Sequence, residues 1–307
     1  MIGRRAGSPL GIIYMPIQQI TIVGTGLIGG SLALALRQAG FRGTIVGCDQ
    51  RTVLDIAQAR GVIDRAETDL QRAIAGSDVI VLATPVGSIL TLLETVAAQA
   101  PPETLITDTG STKQQIVDRA RRLWGSQAAA RVLPSHPMAG KEVGGIENAD
   151  PELFREAVWL VTPIDPGQTT DSRELAAGNT PRQQEYLDLL RSIGARPVVM
   201  DAQRHDRLCA WISHLPQMIA TALACSLHEQ FGDEAQLLQI GGRALREMTR
   251  IALSPYSMWR DIALTNTENI EDALLCFEQQ LAQLRENLRS PQLREMFENA
   301  SRFRAKS

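Results

Sequence analysis

Short apolar runs alternate with amphipathic spacers along the first two-thirds of the chain. Residues 19–24, QITIVG, and 44–49, TIVGCD, are rich in β-branched side chains, which favours strands. Further runs lie at 78–85, 104–110, 131–137 and 158–163, and the spacers at 52–60, 87–100 and 111–124 have helical periodicity. Alternating strands and helices predict an α/β fold, with a doubly wound, mostly parallel sheet covered on both faces.

The pattern changes after residue 202. From there the chain predicts helices only, at 203–231, 244–253 and 266–300. We therefore expect a tail at 1–15, a sheet domain at 16–201 and an all-helical C-terminal domain at 202–307. Before that boundary we expect an exposed loop at 165–184, a helix at 185–193 and a last strand at 196–201.

One helical segment is apolar around most of its circumference. Residues 215–227, LPQMIATALACSL, are mostly apolar, so we expect them to be buried from all sides. Such a helix near the end of a chain suggests a homodimer formed through the helical domain.

Composition narrows the class of protein. With 307 residues, 44% hydrophobic, the chain is long enough for two domains. A net charge of −3 argues against nucleic acid or anionic membrane as a partner. The four cysteines are scattered without CxxC spacing, so we predict no disulfide, no metal site and a cytoplasmic location. We predict no membrane span or secretion signal, and Met15, just before the first strand, leaves open whether residues 1–14 are native.

A glycine motif follows the first predicted strand and opens the first predicted helix. Gly24, Gly26 and Gly29 have the spacing G-x-G-x-x-G, and Asp49 ends the next strand. This context is typical of a Rossmann-type dinucleotide site, where the phosphates bind at the helix N-terminus. The motif also includes Leu27 and Ile28.

The same site predicts the cofactor. Asp49 favours NAD, since a carboxylate bonds a ribose and repels a 2′-phosphate, while Arg51 keeps NADP possible. Thr84, Pro85 and Val86 follow another strand, and we expect them to flank the cofactor.

Two candidate catalytic residues follow later strands. His136 lies in VLPSHPMAGKEVGG, at the predicted carboxyl end of a strand, where it is either part of a surface loop or a base that accepts a hydroxyl proton. Ser111, in TDTGSTK, either caps the following helix or points its hydroxyl into the cleft.

Five segments together resemble the prephenate/arogenate dehydrogenases of tyrosine biosynthesis, in their monofunctional form. The segments, spread over residues 16 to about 290, are GTGLIGGS, TDTGSTK, SHPMAGKEVGG, RHDRLCAWISHLPQMIATAL and REMTRIALSPYSMWRDIALTN. The resemblance implies that His136 bonds the ring hydroxyl of the substrate and assists its oxidation, and that Ser111 either bonds the same hydroxyl or orients His136. It also implies that Arg250 binds the ring carboxylate. It further implies substrate-side roles for Ser213, His214 and Gln217, and ionic contacts near the site for Glu142 and Glu247.

The expected reaction is NAD-dependent oxidative decarboxylation of prephenate to 4-hydroxyphenylpyruvate. Some prephenate-specific relatives have histidine where this chain has Gln217, so arogenate is the alternative substrate, and feedback by tyrosine stays open. A β-hydroxyacid dehydrogenase would need a lysine in its helical domain, yet there is none from 142 to 305. A non-catalytic NAD-binding module would explain the glycines but not His136, Ser111 and Arg250 together.

Overall fold

The computed structural model describes residues 16–165, 180–232 and 235–306. It divides into two compact units, one ending at Ala202 and the other beginning at Gln203. The described residues of the first unit form nine strands: β1 (Gln19–Val23), β2 (Thr44–Cys48), β3 (Arg65–Glu67), β4 (Val79–Leu82), β5 (Leu105–Asp108), β6 (Val132–Leu133), β7 (Ser135–Pro137), β8 (Val158–Val161) and β9 (Arg196–Val199).

Six of these strands form one parallel sheet in the order β3-β2-β1-β4-β5-β6. The predicted α/β class with a doubly wound sheet is confirmed. The central strands β1 and β4 are almost wholly buried, as expected for a sheet covered on both faces. The short strand β3 was not predicted, because its sequence, Arg-Ala-Glu, has no apolar run.

Within the described part of the first unit, seven α-helices accompany these strands: α1 (Leu27–Gln38), α2 (Arg51–Ala59), α3 (Leu70–Ile74), α4 (Val86–Gln99), α5 (Gln114–Trp124), α6 (Ala128–Arg131) and α7 (Pro181–Ser192). The predicted helices at 52–60, 87–100 and 111–124 are thus confirmed. Helix α7 begins before the predicted residue 185, because Thr180 and Gln183 form a capping box with Pro181 at the first helical position. Residues 181–184 therefore belong to a helix, and residues 166–179 of the predicted loop lie outside the described residues.

The prediction of one strand over 131–137 was wrong. Strand β6 ends at Leu133 in the parallel sheet, and β7 belongs to a second sheet of order β7-β8-β9. Pro134 lies between them and has no N–H for a ladder bond, while its carbonyl accepts a hydrogen bond from the Thr162 amide at 2.8 Å. His136 therefore lies within a strand of the second sheet, opposite Leu160 on antiparallel β8, and not at the end of a parallel strand.

The second unit is helical throughout its described residues. After α8 (Ala202–Cys209), which begins one residue before the boundary, a π-helical stretch (Ala210–His214) leads into α9 (Leu215–Phe231). The remaining helices are α10 (Ala235–Ile240), α11 (Arg243–Thr249) with a 3₁₀ turn (Arg250–Leu253), α12 (Tyr256–Thr265), α13 (Thr267–Glu286) and α14 (Gln292–Arg304).

The helical unit buries little apolar surface of its own. Its cluster of buried hydrophobic residues consists of Ala210, Ile262 and Ile270. On α9, Leu215, Gln217 and Ala220 are buried, while much of the rest of the helix is exposed. The expectation that residues 215–227 are buried from all sides was therefore wrong for the single chain, because periodicity does not tell which surface covers an apolar helix.

Residues 202–231 are long and apolar enough, by length and composition alone, to cross a membrane. They are the one such stretch in the described part of the chain, and a single stretch is weak evidence, since core helices pass the same test. The absence of a membrane partner stays a prediction.

Candidate active site

The glycine loop joins β1 to α1 through a turn that requires glycine. Gly24 has a φ of +94°, a left-handed conformation that side chains rarely adopt. Its N–H donates to the Cys48 carbonyl at 2.9 Å, which ties the loop to β2. A Cβ on Gly24 would lie 2.5 Å from the Ala83 carbonyl oxygen, so no larger residue fits.

The other two glycines have different surroundings. A Cβ on Gly29 would lie 2.0 Å from the Gly24 carbonyl oxygen, so this glycine allows α1 to pack against the loop. A Cβ on Gly26, the N-cap of α1, would meet no atom within 4 Å. The first turn of α1, where Leu27 and Ile28 are half-buried, therefore begins beside open space, which fits an approaching phosphate.

Asp49 supports the loop from the end of β2. Its carboxylate accepts hydrogen bonds from the Thr25 amide and from the Gln50 amide, each at 2.7 Å. This arrangement holds an acceptor next to the glycine loop, where a ribose hydroxyl would be bound. Arg51 instead pairs with Asp55 at 2.9 Å on the exposed side of α2.

The three predicted cofactor-binding residues after β4 differ in how they could contact a cofactor. Thr84 has a buried hydroxyl oxygen with no hydrogen-bond partner among the described residues, so it can bond a ligand. Pro85 is exposed at the N-cap of α4. The Val86 side chain is 3% exposed and packs in the hydrophobic core, so only its backbone is placed to line a cofactor.

Asp108, at the end of β5, is the centre of a buried polar network. One carboxylate oxygen, Oδ1, accepts hydrogen bonds from the Gly110 amide at 2.8 Å and from the Lys113 ammonium. The other, Oδ2, accepts from the Ser135 amide at 3.2 Å. Lys113 is fully buried and Asp108 nearly so, which makes this a buried ion pair with further hydrogen bonds.

The network fixes the strand that contains His136. The Ser135 hydroxyl donates to the Asp108 carbonyl at 2.7 Å and accepts from the Trp159 indole at 2.9 Å. Because side chains alternate along a strand, His136 faces away from these partners. His136 is 9% exposed, so it is nearly closed to solvent, unlike a surface-loop histidine.

Ser111 and Glu142 lie in loops close in sequence to the residues of this network. Helix α5 begins at Gln114 with Lys113 as its N-cap, so the Ser111 hydroxyl is not the N-cap. Ser111 is half-buried in the turn after Asp108. Glu142 is half-buried in the loop after β7, where neighbouring Lys141 pairs with Asp150 at 2.9 Å.

In the helical unit, Ser213 and His214 end the π-helical stretch and Gln217 lies in the first turn of α9. Burial lowers the pKa of His214 to about 4, so its ring is neutral at pH 7. Gln217 is buried, and its Nε2 donates to the Thr221 hydroxyl at 3.3 Å.

Arg250 and Glu247 lie on the exposed surface of the helical unit. Arg250 begins the 3₁₀ turn after α11, and Glu247 pairs with Arg243 at 3.3 Å. Because both members of that pair are largely exposed to water, it contributes little to stability.

Sequence reasoning missed the residues that position the predicted ones. Asp108, Lys113 and Ser135 were read only as parts of motifs, although an aspartate at a strand end five residues before a lysine is a detectable signal. The bond from Trp159 had no local signal, since 24 residues separate Trp159 from Ser135.

Two family models match the chain: the prephenate dehydrogenase nucleotide-binding domain over residues 32–178 and the prephenate dehydrogenase dimerization domain over 201–301. Prephenate dehydrogenases of Lactococcus lactis and Bacillus subtilis are 32% and 34% identical over 82% of the chain. The chain spans 66% and 65% of their lengths, just under two thirds. A cyclohexadienyl dehydrogenase of Zymomonas mobilis is 30% identical over 87% of both chains.

The chain is also similar to solved structures of prephenate and arogenate dehydrogenases. Prephenate dehydrogenase from Aquifex aeolicus, in complex with hydroxyphenyl propionate and NAD⁺, has a TM-score of 0.80 at 29% identity and covers 95% of this chain and 98% of its own. Arogenate dehydrogenase from Synechocystis has a TM-score of 0.72 at 28% identity, with 94% and 99% covered.

The buried ion pair predicts a large loss of stability on a single substitution. Lys113→Met leaves the Asp108 carboxylate buried without its cation, and we expect the free energy of unfolding to fall by about 3–5 kcal/mol. Adding Asp108→Asn should restore part of this loss, because a neutral amide needs no counterion. Urea unfolding measures both changes.

A surface pair provides the matched control. Arg191 and Asp188 pair at 2.6 Å with both side chains largely exposed. Asp188→Asn should change the free energy of unfolding by less than about 1 kcal/mol. If Lys113→Met costs no more than this control, the network does not hold the strand as described.

Proposed function

The chain belongs to the prephenate dehydrogenase family, and we propose that it catalyses the NAD-dependent oxidative decarboxylation of prephenate to 4-hydroxyphenylpyruvate in tyrosine biosynthesis. The observation that carries this proposal is the fixed position of His136, on a strand anchored to Asp108, in the same unit as the glycine loop. The alternative of an ordinary surface-loop histidine does not agree with its 9% exposure.

The proposed reaction needs one base and two binding functions from the protein. NAD⁺, when bound, accepts the hydride that leaves the ring carbon bearing the hydroxyl group. His136 accepts the hydroxyl proton, and returns it to the same oxygen once loss of carbon dioxide makes the ring aromatic. Ser111 bonds the same hydroxyl group and orients it toward His136. Aromatisation supplies the driving force, so orientation is the main task of the protein.

Substrate binding is assigned to the residues that match the family motifs. Arg250 binds the ring carboxylate, since its planar guanidinium can donate two parallel hydrogen bonds. Ser213, His214 and Gln217 bind the remaining polar groups of the substrate. Glu142 and Glu247 take part in ionic contacts near the entrance. These roles follow the family motifs at the same positions of this chain.

NAD fits the glycine loop better than NADP. The open space at Gly26 and the partnerless hydroxyl oxygen of Thr84 are suited to a bound dinucleotide. The Asp49 carboxylate, held by the Thr25 amide, would repel a 2′-phosphate. Arg51 is paired with Asp55, which weakens the case for NADP.

Arogenate is the second candidate substrate, since the structure of an arogenate dehydrogenase is similar over almost the whole chain. Gln217 is the residue to examine, because a neutral amide can bond either a keto or an amino group. The β-hydroxyacid reading has no support in the helical half, which contains no lysine from 142 to 305.

We propose that the protein is a cytoplasmic homodimer formed through its helical unit. Among the described residues, the exposed large hydrophobic side chains other than Val143 all lie in the helical unit. Examples are Trp211, Phe231, Leu253 and Phe303. Apolar surface of this extent marks an interface. The match of residues 201–301 to a dimerization domain supports the same proposal.

Steady-state kinetics over four combinations, prephenate or arogenate with NAD⁺ or NADP⁺, test the function. We expect reduced nicotinamide, seen by its near-ultraviolet absorbance, with the highest kcat/KM for prephenate and NAD⁺. If no reduced nicotinamide forms with either substrate, the proposal is refuted. If kcat/KM is higher for arogenate than for prephenate, the protein is an arogenate dehydrogenase.

Two substitutions separate the base from the binding residues. His136→Asn should lower kcat by about 10²–10⁴-fold with KM for prephenate nearly unchanged, because only proton transfer is lost. Arg250→Gln should instead raise KM strongly. A His136→Asn enzyme that keeps most of its kcat would show that another group is the base.

Sedimentation equilibrium tests the assembly. We expect a dimer at micromolar concentration, with little dependence on salt, because the side chains proposed to form the interface are apolar. A monomer under these conditions would contradict the assignment.

A further inference from the structure

A buried polar cluster in the helical unit is centred on Asn266. This residue lies between α12 and α13 and is 4% exposed. Its Nδ2 lies 2.8 Å from the Asp206 carbonyl oxygen and 3.2 Å from Nδ1 of His214. Its Oδ1 accepts a hydrogen bond from Nδ2 of Asn269 at 2.7 Å.

These partners leave one consistent assignment of hydrogen atoms. A backbone carbonyl can only accept, so the Asn266 atom facing Asp206 must be the amide nitrogen. That nitrogen has a second hydrogen, which is directed to Nδ1 of His214. Nδ1 is then the acceptor, and in a neutral imidazole the proton must be on Nε2.

The protonated nitrogen has no partner of its own. Nε2 of His214 is buried and makes no hydrogen bond with any of the described residues. The ring is held edge-on to Trp259, with centroids 5.9 Å apart, so it cannot easily turn to find one. His205, by contrast, has Nδ1 paired with the Asp206 carboxylate at 2.8 Å. A buried donor without a partner is uncommon and calls for an acceptor from elsewhere.

We propose that Asn266 is a positioning residue that keeps the proton of His214 on Nε2, so that His214 donates a hydrogen bond to a carboxylate oxygen of the substrate. In this form His214 cannot act as the base, because its one acceptor nitrogen is occupied by Asn266. The burial that lowers the pKa of His214 to about 4 keeps the ring neutral at working pH, in agreement with a donor rather than a cation. The identity of the acceptor rests on the proposed function, whereas the position of the proton does not.

Nitrogen-15 NMR of the intact protein labelled in its histidines tests the proton position. The chain has four histidines, and the signal lost in His214→Gln identifies His214. We expect the pattern of an imidazole protonated on Nε2. Asn266→Asp should move the proton to Nδ1, because a carboxylate oxygen cannot donate. A wild-type ring protonated on Nδ1 or on both nitrogens, or no change in Asn266→Asp, would overturn the proposal.

A pair of substitutions tests the donor. The amide nitrogen of glutamine can take the place of Nε2, whereas asparagine reaches only the place of Nδ1. His214→Asn should therefore raise KM for the preferred substrate about 10- to 100-fold with kcat close to wild type, and His214→Gln should restore most of the affinity. KM for the nicotinamide cofactor should not change in either variant.

His228→Gln, at an exposed position on α9, is the matched control and should keep the wild-type KM. A wild-type KM in His214→Asn, or a loss confined to kcat, would overturn the donor role. A wild-type enzyme inactive with both substrates would refute the proposed function instead, and the NMR measurement would still decide the position of the proton. If Asn266→Asp does not fold, the NMR measurement on wild type, with the His214 signal assigned through His214→Gln, still decides it.

Discussion

The buried carboxylate of Asp108 holds together three segments of the first unit. It accepts hydrogen bonds from the amide of Gly110, the ammonium of Lys113 and the amide of Ser135. A charge in the interior is tolerated only when such partners are complete, so none of the three segments can shift alone. The turn that contains Ser111 and the strand that contains His136 therefore have fixed positions relative to each other.

Local patterns were enough to predict the parts of the fold that depend on neighbouring residues. The glycine loop, most of the parallel strands and most helices of the first unit follow from spacing and periodicity within about 30 residues. The second sheet could not be predicted in this way, because β7 is separated from β6 only by Pro134 and pairs with β8, more than 20 residues later. The role of Lys113 was hidden for a related reason, since a lysine is ordinarily read as a surface residue.

For the helical unit, the sequence predicted the helices but not which of their surfaces are buried. Its apolar helices were recognised, but many of their apolar side chains are exposed in the single chain. A cluster built on Ala210, Ile262 and Ile270 buries too little to offset the entropy of ordering about 100 residues. The exposed apolar side chains of this unit agree with the proposal that a second copy completes its core.

The four histidines differ in which nitrogen atoms are already engaged, and this bears on the choice of a base. Nδ1 of His205 is paired with Asp206, and Nδ1 of His214 faces the amide nitrogen of Asn266. His228 is exposed on α9. A base must be held at the reacting group with an acceptor nitrogen directed to it. Of the four, His136 lies on the strand anchored to Asp108, which agrees with its proposed role as the base, and Nδ1 of His214 faces an amide nitrogen, which agrees with its proposed role as a donor through Nε2, so the two proposals place the two halves of proton handling on different residues.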